Sequence, residues 1–359
     1  MSVDAVYHRG PLFKEVFGEC WENLRWLFQT ENAVLTLAGS GTAGLEAACA
    51  SFIQPQEKAI VIRGGKFGER WFKICQSLGI RAIPLDVPWG QAAQPAQLDA
   101  LLQLHPDTRA VLWQASETST GVVHPTQELV QVVRARGDIL TLVDGITAVG
   151  VYDLPQDALD IDVLVCGSQK ALMLPPGLAF VSASERAWRA GERGGCPRYY
   201  FSLQREREQQ TAKLQQTAFT PAISLIFGLR ESLRMLREEG LAPLFARHDQ
   251  LARAARAGGQ AMGLSLFAQK PSHATTALSL PANVDGNALG KRLREGYGVT
   301  LGGGQDQLKG KIVRIGHVGY FGPFDIITAI SALEMGLCDL GYSVTLGQGV
   351  GAAQAVLRS

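Results

Sequence analysis

The segment Val163-Leu164-Val165-Cys166-Gly167-Ser168-Gln169-Lys170 sets an amine almost directly behind four apolar residues. Such a run reads as a buried strand, and Gly167 breaks it before the lysine arrives. A lysine carried into a pocket by apolar structure loses solvation of its ammonium form, so its pKa falls and the amine becomes a usable nucleophile and base. A lysine that condenses with a carbonyl has this requirement. A lysine at a strand end also snorkels to water with no chemistry at all, so Lys170 is judged by the residues that accompany it.

Three other places bear on that judgement. Ala38-Gly39-Ser40-Gly41-Thr42-Ala43-Gly44 joins an apolar run over 33–37 to a helical pattern with Leu45, Cys49, Phe52 and Ile53 on one face. Free backbone N–H groups and the positive helix end converge at such a turn and make an anion cradle. The same glycines fit GxGxxG, a weak dinucleotide signal by itself. The next strand pattern, 59–62, runs into Arg63 where an acidic ribose ligand would stand, which leaves a 2′-phosphate nucleotide and a plain structural turn both open. Asp144 closes the apolar run 139–143, where a carboxylate needs a cation or donors. It serves there either as a turn or N-cap residue or as counter-ion to a protonated ring nitrogen, as toward pyridoxal phosphate. Arg314 lies inside the apolar strand pattern 311–315, where a guanidinium needs an anion. A substrate carboxylate, held bidentately, and an internal salt bridge both satisfy it.

The elements that must position these groups follow from periodicity. Phe13, Val16, Phe17, Trp21, Leu24 and Phe28 mark a helix. Strand and helix patterns then alternate: strands at 33–37, 59–62, 81–85, 110–113, 139–143, 163–166 and 178–182, with helices between most of them. That is an α/β unit on a mostly parallel sheet, whose ligands collect at the carboxyl ends of strands. Ser40 to Thr42, Phe67, Thr118, Asp144 and Lys170 all fall at such ends. The Arg- and Gln-rich stretch 185–216 reads as surface, with 204–210 a solvated face. A long helix opened after Thr217-Ala218-Phe219-Thr220-Pro221 stops at Gly240, where the domain boundary is placed. The reading is therefore a large α/β domain over 1–240 and a smaller α+β domain over 241–359. The Gly-rich tail from 347 is expected to fray.

With 46% hydrophobic residues, 19% charged and a net charge of +1, the 359-residue chain has no electrostatic bias toward nucleic acid or membranes. The six cysteines form no CxxC pair, so neither a zinc site nor a disulfide framework is expected, and a reducing compartment is. No leader pattern or run of transmembrane length is present, and a cytoplasmic location is expected.

On these residues the chain resembles the class V pyridoxal-phosphate aminotransferases, most closely the alanine/serine–glyoxylate aminotransferase group. The resemblance runs from about His8-Arg9-Gly10-Pro11 to about Leu340. It rests on Gly39-Ser40-Gly41-Thr42, Gly65-Lys66-Phe67-Gly68, Glu117-Thr118-Ser119-Thr120-Gly121, Val143-Asp144-Gly145, Gly167-Ser168-Gln169-Lys170-Ala171-Leu172 with Pro175-Pro176-Gly177, and Val313-Arg314-Ile315-Gly316. It implies the type I fold of pyridoxal-phosphate-dependent transferases. It also implies that Lys170 carries the cofactor as a Schiff base, Asp144 pairs with the pyridine nitrogen and Phe67 stacks on the ring. Thr118 would approach the ring hydroxyl, Ser40, Gly41, Thr42 and Gln169 would bind the phosphate, and Arg314 would hold the substrate α-carboxylate. Thr220 would reach the phosphate held by a neighbouring subunit, which implies a homodimer with shared sites.

The reaction implied is ping-pong transamination between a small L-amino acid, alanine or serine, and glyoxylate or pyruvate. Two features depart from the family. A Pro-Gly-Pro segment is expected well ahead of His8, whereas Met1 stands just before it, so a truncated start or a different closing segment is expected. A tyrosine position is Thr217 here. The alternatives are a lyase of the same fold, such as a cysteine desulfurase or kynureninase-like enzyme, and a catalytically silent homologue. Lyase relatives place a histidine where Phe67 stands, and a desulfurase needs a cysteine in the loop Leu301-Gly302-Gly303-Gly304-Gln305, which has none.

Overall fold

The computed structural model describes residues 6–211 and 213–359. Residues 1–5, on which the absence of a leader was partly read, lie outside them. In chain order the elements are α1 (Pro11–Phe28), β1 (Val34–Ala38), α2 (Gly41–Phe52), β2 (Lys58–Arg63), α3 (Lys66–Ser77), β3 (Arg81–Asp86), α4 (Pro95–Leu104) and β4 (Thr108–Gln114). Then follow β5 (Ser116–Glu117), β6 (Val122–Val123), α5 (Thr126–Arg134), β7 (Leu140–Asp144), β8 (Val163–Gly167), β9 (Leu178–Ala183), α6 (Glu185–Gly191), α7 (Leu203–Gln209) and α8 (Ile223–Glu239). After Gly240 come α9 (Leu241–Ala261), β10 (Ser265–Leu266), β11 (Thr275–Ser279), α10 (Gly286–Tyr297), β12 (Gly302–Gly303), β13 (Ile312–Gly316), α11 (Pro323–Asp339) and α12 (Gln348–Leu357).

Seven strands form one sheet in the order β1-β9-β8-β7-β4-β2-β3. Parallel pairing joins β3, β2, β4, β7 and β8, while β9 runs antiparallel to both β8 and β1. Strands β7, β8 and β9 are buried along their whole length, as expected of a sheet covered on both faces. The two-residue alternation of strand side chains divides them between two cores. Ile60 and Ile62 pack with α1, α4, α5 and α8, whereas Ala59 and Val61 pack with α2, α3 and α6. A dinucleotide-binding sheet would flank its first strand with parallel neighbours at the centre. Here β1 is an edge strand in antiparallel pairing, so the Gly39–Gly44 turn is not placed as a dinucleotide fingerprint.

The chain after Gly240, a residue at φ 82° between α8 and α9, builds an antiparallel sheet β10-β11-β13-β12 covered by α9, α10, α11 and α12. Two expectations are corrected. Residues 204–210 are a solvated face only in part: Gln204, Arg205 and Glu208 are exposed, but α7 buries Glu206, and Gln210 accepts from the Thr36 N–H at 2.7 Å and donates to the Thr36 carbonyl at 2.7 Å. The amide of Gln210 thereby closes the free edge of β1, and Glu206 accepts from Gln210 and from the Ala218 N–H. Nor does the tail fray. Residues 348–357 form α12, whose opening N–H groups at Gly347, Gly349 and Val350 are accepted by the buried carboxylate of Glu334 on α11. Among the described residues no helix is long and apolar enough to cross a membrane.

Candidate active site

The carboxyl ends of β1, β4, β7 and β8 face one cavity of about 280 Å³, just below the range of small-molecule sites, about 300–1,000 Å³. Ser40, Gly41, Thr42, Phe67, Thr118, Asp144, Gln169 and Lys170 all line it. Eight of the ten residues singled out in the sequence therefore meet at one place.

Lys170 owes its position to the turn between β8 and β9. Ser168 Oγ donates to the Pro175 carbonyl at 2.8 Å and accepts from the Leu178 N–H at 3.2 Å, which folds the intervening residues back onto the strand. Burial pulls the Lys170 amine below its ordinary pKa; the Arg314 and Arg70 charges act the same way, and Asp144 opposes them. Asp144 ends β7 and is 6% exposed, with Oδ1 accepting from the Ile146 N–H at 2.9 Å. Burial lifts its carboxyl to about 7, helped by the negative charge of Glu117 and restrained by that N–H, Arg70 and Lys170. The cavity thus holds an amine inclined to lose its proton beside an acid inclined to keep one.

At its anion-binding end, Ser40 is the N-cap of α2, yet its side chain makes no cap hydrogen bond and stays available to a ligand. Gly41 packs so closely that a Cβ there would lie 2.4 Å from Ile146 Cδ1, which keeps backbone, not side chain, at the cavity wall. Gln169 Oε1 is buried and has no partner. Since an amide flip exchanges oxygen and nitrogen, this position can offer a donor to a ligand.

Phe67 is placed by a residue whose role the sequence did not disclose. Glu117 is fully buried, and its Oε2 accepts from the N–H groups of Phe67 and Gly68, each at 3.0 Å, capping α3 from a different strand. Its other oxygen takes the Ser119 hydroxyl and N–H. Burial raises its carboxyl, and these donors hold it back. Gly65 is required by this contact, because a Cβ there would sit 2.4 Å from Glu117 Cδ.

Arg314, on β13, stands just beyond the cavity lining. Its Nη1 donates to the Thr118 carbonyl at 2.7 Å and its Nε to the Gly303 carbonyl at 2.9 Å. Among the described residues no carboxylate pairs with it, so the internal salt bridge is not formed and one face of a half-buried guanidinium is left for an anion. Thr220 is exposed and lies in a separate depression with Tyr200 and Phe219, outside this chain's cavity. Sequence reasoning missed Arg70, Ser116, Ile146 and Thr147, which also line the cavity. Arg70 follows Phe67 by three residues on α3, a spacing that shares a helix face and was the available signal. Ser116 and Thr147 are small polar residues with no such signal; Thr147 Oγ1 donates to the Ser116 carbonyl, and Ser116 Oγ meets Ser272 Oγ at 2.7 Å.

A mixed seven-stranded sheet with the lysine just after the sixth of its strands in chain order, followed by a small antiparallel unit, is the type I fold of pyridoxal-phosphate-dependent transferases. Residues 2–316 match the aminotransferase class-V family. The chain is 33% identical to the L-aspartate–glyoxylate aminotransferase of Paracoccus denitrificans, over 100% of this chain and 92% of that one. It is 40% identical to a protein called the small subunit of a soluble hydrogenase in Synechococcus, over 99% and 93%. The crystal structure of ureidoglycine–glyoxylate aminotransferase from Bacillus subtilis superposes with a TM-score of 0.94 at 29% identity, covering 100% of this chain and 93% of that one. The chain belongs to the class-V aminotransferases and is an enzyme of that kind.

Proposed function

We propose that this enzyme transfers an amino group between a small L-amino acid, alanine or serine, and an oxo acid, glyoxylate or pyruvate, using pyridoxal phosphate. The observation that carries the reading is one cavity holding Lys170, Asp144 and Phe67 above the N-terminal turn of α2. The residues present fit the cofactor: the unpartnered Gln169 amide and uncommitted Ser40 hydroxyl suit a phosphate, and Asp144 suits a protonated ring nitrogen. When bound, pyridoxal phosphate supplies an electron sink for the charge left as the substrate α-proton departs.

The chain's own residues do the rest. Lys170 would hold the cofactor through Nζ and, once free, its amine would take the substrate α-proton as general base. Burial favours its uncharged form, which is the form that accepts a proton. The same amine would also be placed to return that proton, so one group would serve both transfers. Asp144 would pair with a cationic ring nitrogen and keep it protonated. Phe67, on the cavity wall, would cover the ring and exclude water from it. Arg314 fixes the substrate carboxylate and so orients the bond to be broken.

Thr220, exposed beside Tyr200 and Phe219, supports the reading that two copies complete each other's phosphate sites. Two relatives carry the name of a soluble hydrogenase subunit, a name said of those proteins alone. The test is to supply the cofactor-loaded protein with L-serine or L-alanine and glyoxylate, and to quantify glycine and the new oxo acid. Equal yields of the two support the reading; oxo acid or ammonia without glycine would replace transamination by a lyase reaction.

A further inference from the structure

Arg70 is the charged cavity residue for which neither the motifs nor the reaction above supplies a task. Its Nη1 donates to Thr42 Oγ1 at 3.1 Å, and its Cζ lies 4.8 Å from the centre of the Phe67 ring. Among the described residues no carboxylate pairs with it, whereas Arg63 nearby is paired with both Glu69 and Asp86. An unpaired guanidinium facing a cavity is a site waiting for an anion.

The place of that anion is set by Thr42. Thr42 is the second residue of α2, so Arg70 reaches over the turn whose N–H groups and dipole already attract negative charge. Arg314 stands beyond the cavity lining, at the Thr118 and Gly303 carbonyls, where its open face suits a substrate carboxylate. A helix terminus offers only about half a positive charge, while a phosphate monoester carries about −1.5 to −2 near neutral pH. Ser40 and Gln169 are neutral, and Lys170 is engaged in the chemistry, so the anion-binding turn needs one full positive charge from another source. Arg70 is the group that supplies it, and its contact with Phe67 ties that charge to the residue lying over the ring.

We propose that Arg70 binds the phosphate of the cofactor, rather than a substrate carboxylate, and so positions the ring under Phe67. This rests on the pyridoxal phosphate reading. The test uses cofactor-stripped full-length protein, titrated separately with pyridoxal phosphate and with pyridoxal, which lacks the phosphate. Binding is followed by the visible absorbance of the lysine adduct, for wild type, Arg70→Gln and Arg70→Lys. Losing a charge-assisted contact to a dianion weakens R70Q for pyridoxal phosphate about ten- to hundredfold and leaves its affinity for pyridoxal within about threefold. R70K is expected to recover part of the loss, and both variants to keep the wild-type far-ultraviolet circular dichroism.

Equal weakening for both ligands would overturn the proposal and make Arg70 a packing partner of Phe67. Unchanged pyridoxal phosphate affinity, with a raised KM for L-aspartate but not L-alanine, would overturn it in favour of a substrate carboxylate. If wild type itself bound neither ligand, the cofactor reading would fail first, and that result is distinct from any behaviour of the variants.

Discussion

Replacing Asp144 by asparagine is expected to stabilise the cofactor-free protein while nearly abolishing its activity. Burial lifts the Asp144 carboxyl from 3.8 to about 7. Between about pH 4 and pH 7 the folded chain therefore holds a proton that the unfolded chain has released, so stability falls as pH rises through that window. Above about pH 7 both states are ionised and the full cost remains. At about 1.36 kcal/mol per pKa unit, the displacement corresponds to roughly 4 kcal/mol, an upper bound because water in the open cavity solvates part of the charge. The substituted amide would keep an oxygen to accept from the Ile146 N–H and carry no charge, so the variant escapes this cost. Urea unfolding of the stripped proteins should show equal stability near pH 4 and a gap in favour of D144N that widens to between about 1 and 4 kcal/mol by pH 8. Transamination should fall about a hundredfold or more, because nothing then keeps the ring nitrogen protonated. A D144N protein no more stable than wild type at pH 8 would refute the claim that Asp144 is a buried, uncompensated acid awaiting a cation.

Lys170→Ala should lose at least about a thousandfold in turnover, since it removes both the covalent holder and the base; external amines restoring part of the rate would confirm the base role, and near-normal turnover would exclude it. Arg314→Gln should raise KM for amino acid substrates about ten- to hundredfold, with cofactor affinity unchanged in the same titration. Glu117→Ala should destabilise the fold by about 2–4 kcal/mol in urea unfolding, because it strands the buried N–H of Gly68 and that of Phe67 at the start of α3.

Much of this site was legible because its parts are local. Lys170, Asp144, Thr118 and the Ser40–Thr42 turn each stand where an apolar strand pattern stops, and a parallel sheet brings such ends together. Arg314 was legible for a different reason, as a cation inside an apolar strand. What stayed hidden depends on contacts between distant segments. Nothing near Glu117 in sequence says that its carboxylate caps α3, and only the fold brings β5 against that helix. The same holds for Gln210 on the edge of β1, in a stretch whose composition reads as surface. The glycines at 347, 349 and 351 lower helix propensity, so the tail looks frayed until Glu334 is seen to take its N–H groups. Propensity was outweighed there by one buried acceptor.

The central claim is tested most directly by the absorption spectrum of the purified protein after addition of pyridoxal phosphate, recorded before and after an L-amino acid and then after glyoxylate or pyruvate. The account predicts a visible band that Lys170 is required to form, that the amino acid converts to a near-ultraviolet band, and that the oxo acid restores. A protein that forms no visible band with pyridoxal phosphate, or a band that no amino acid converts, would contradict it.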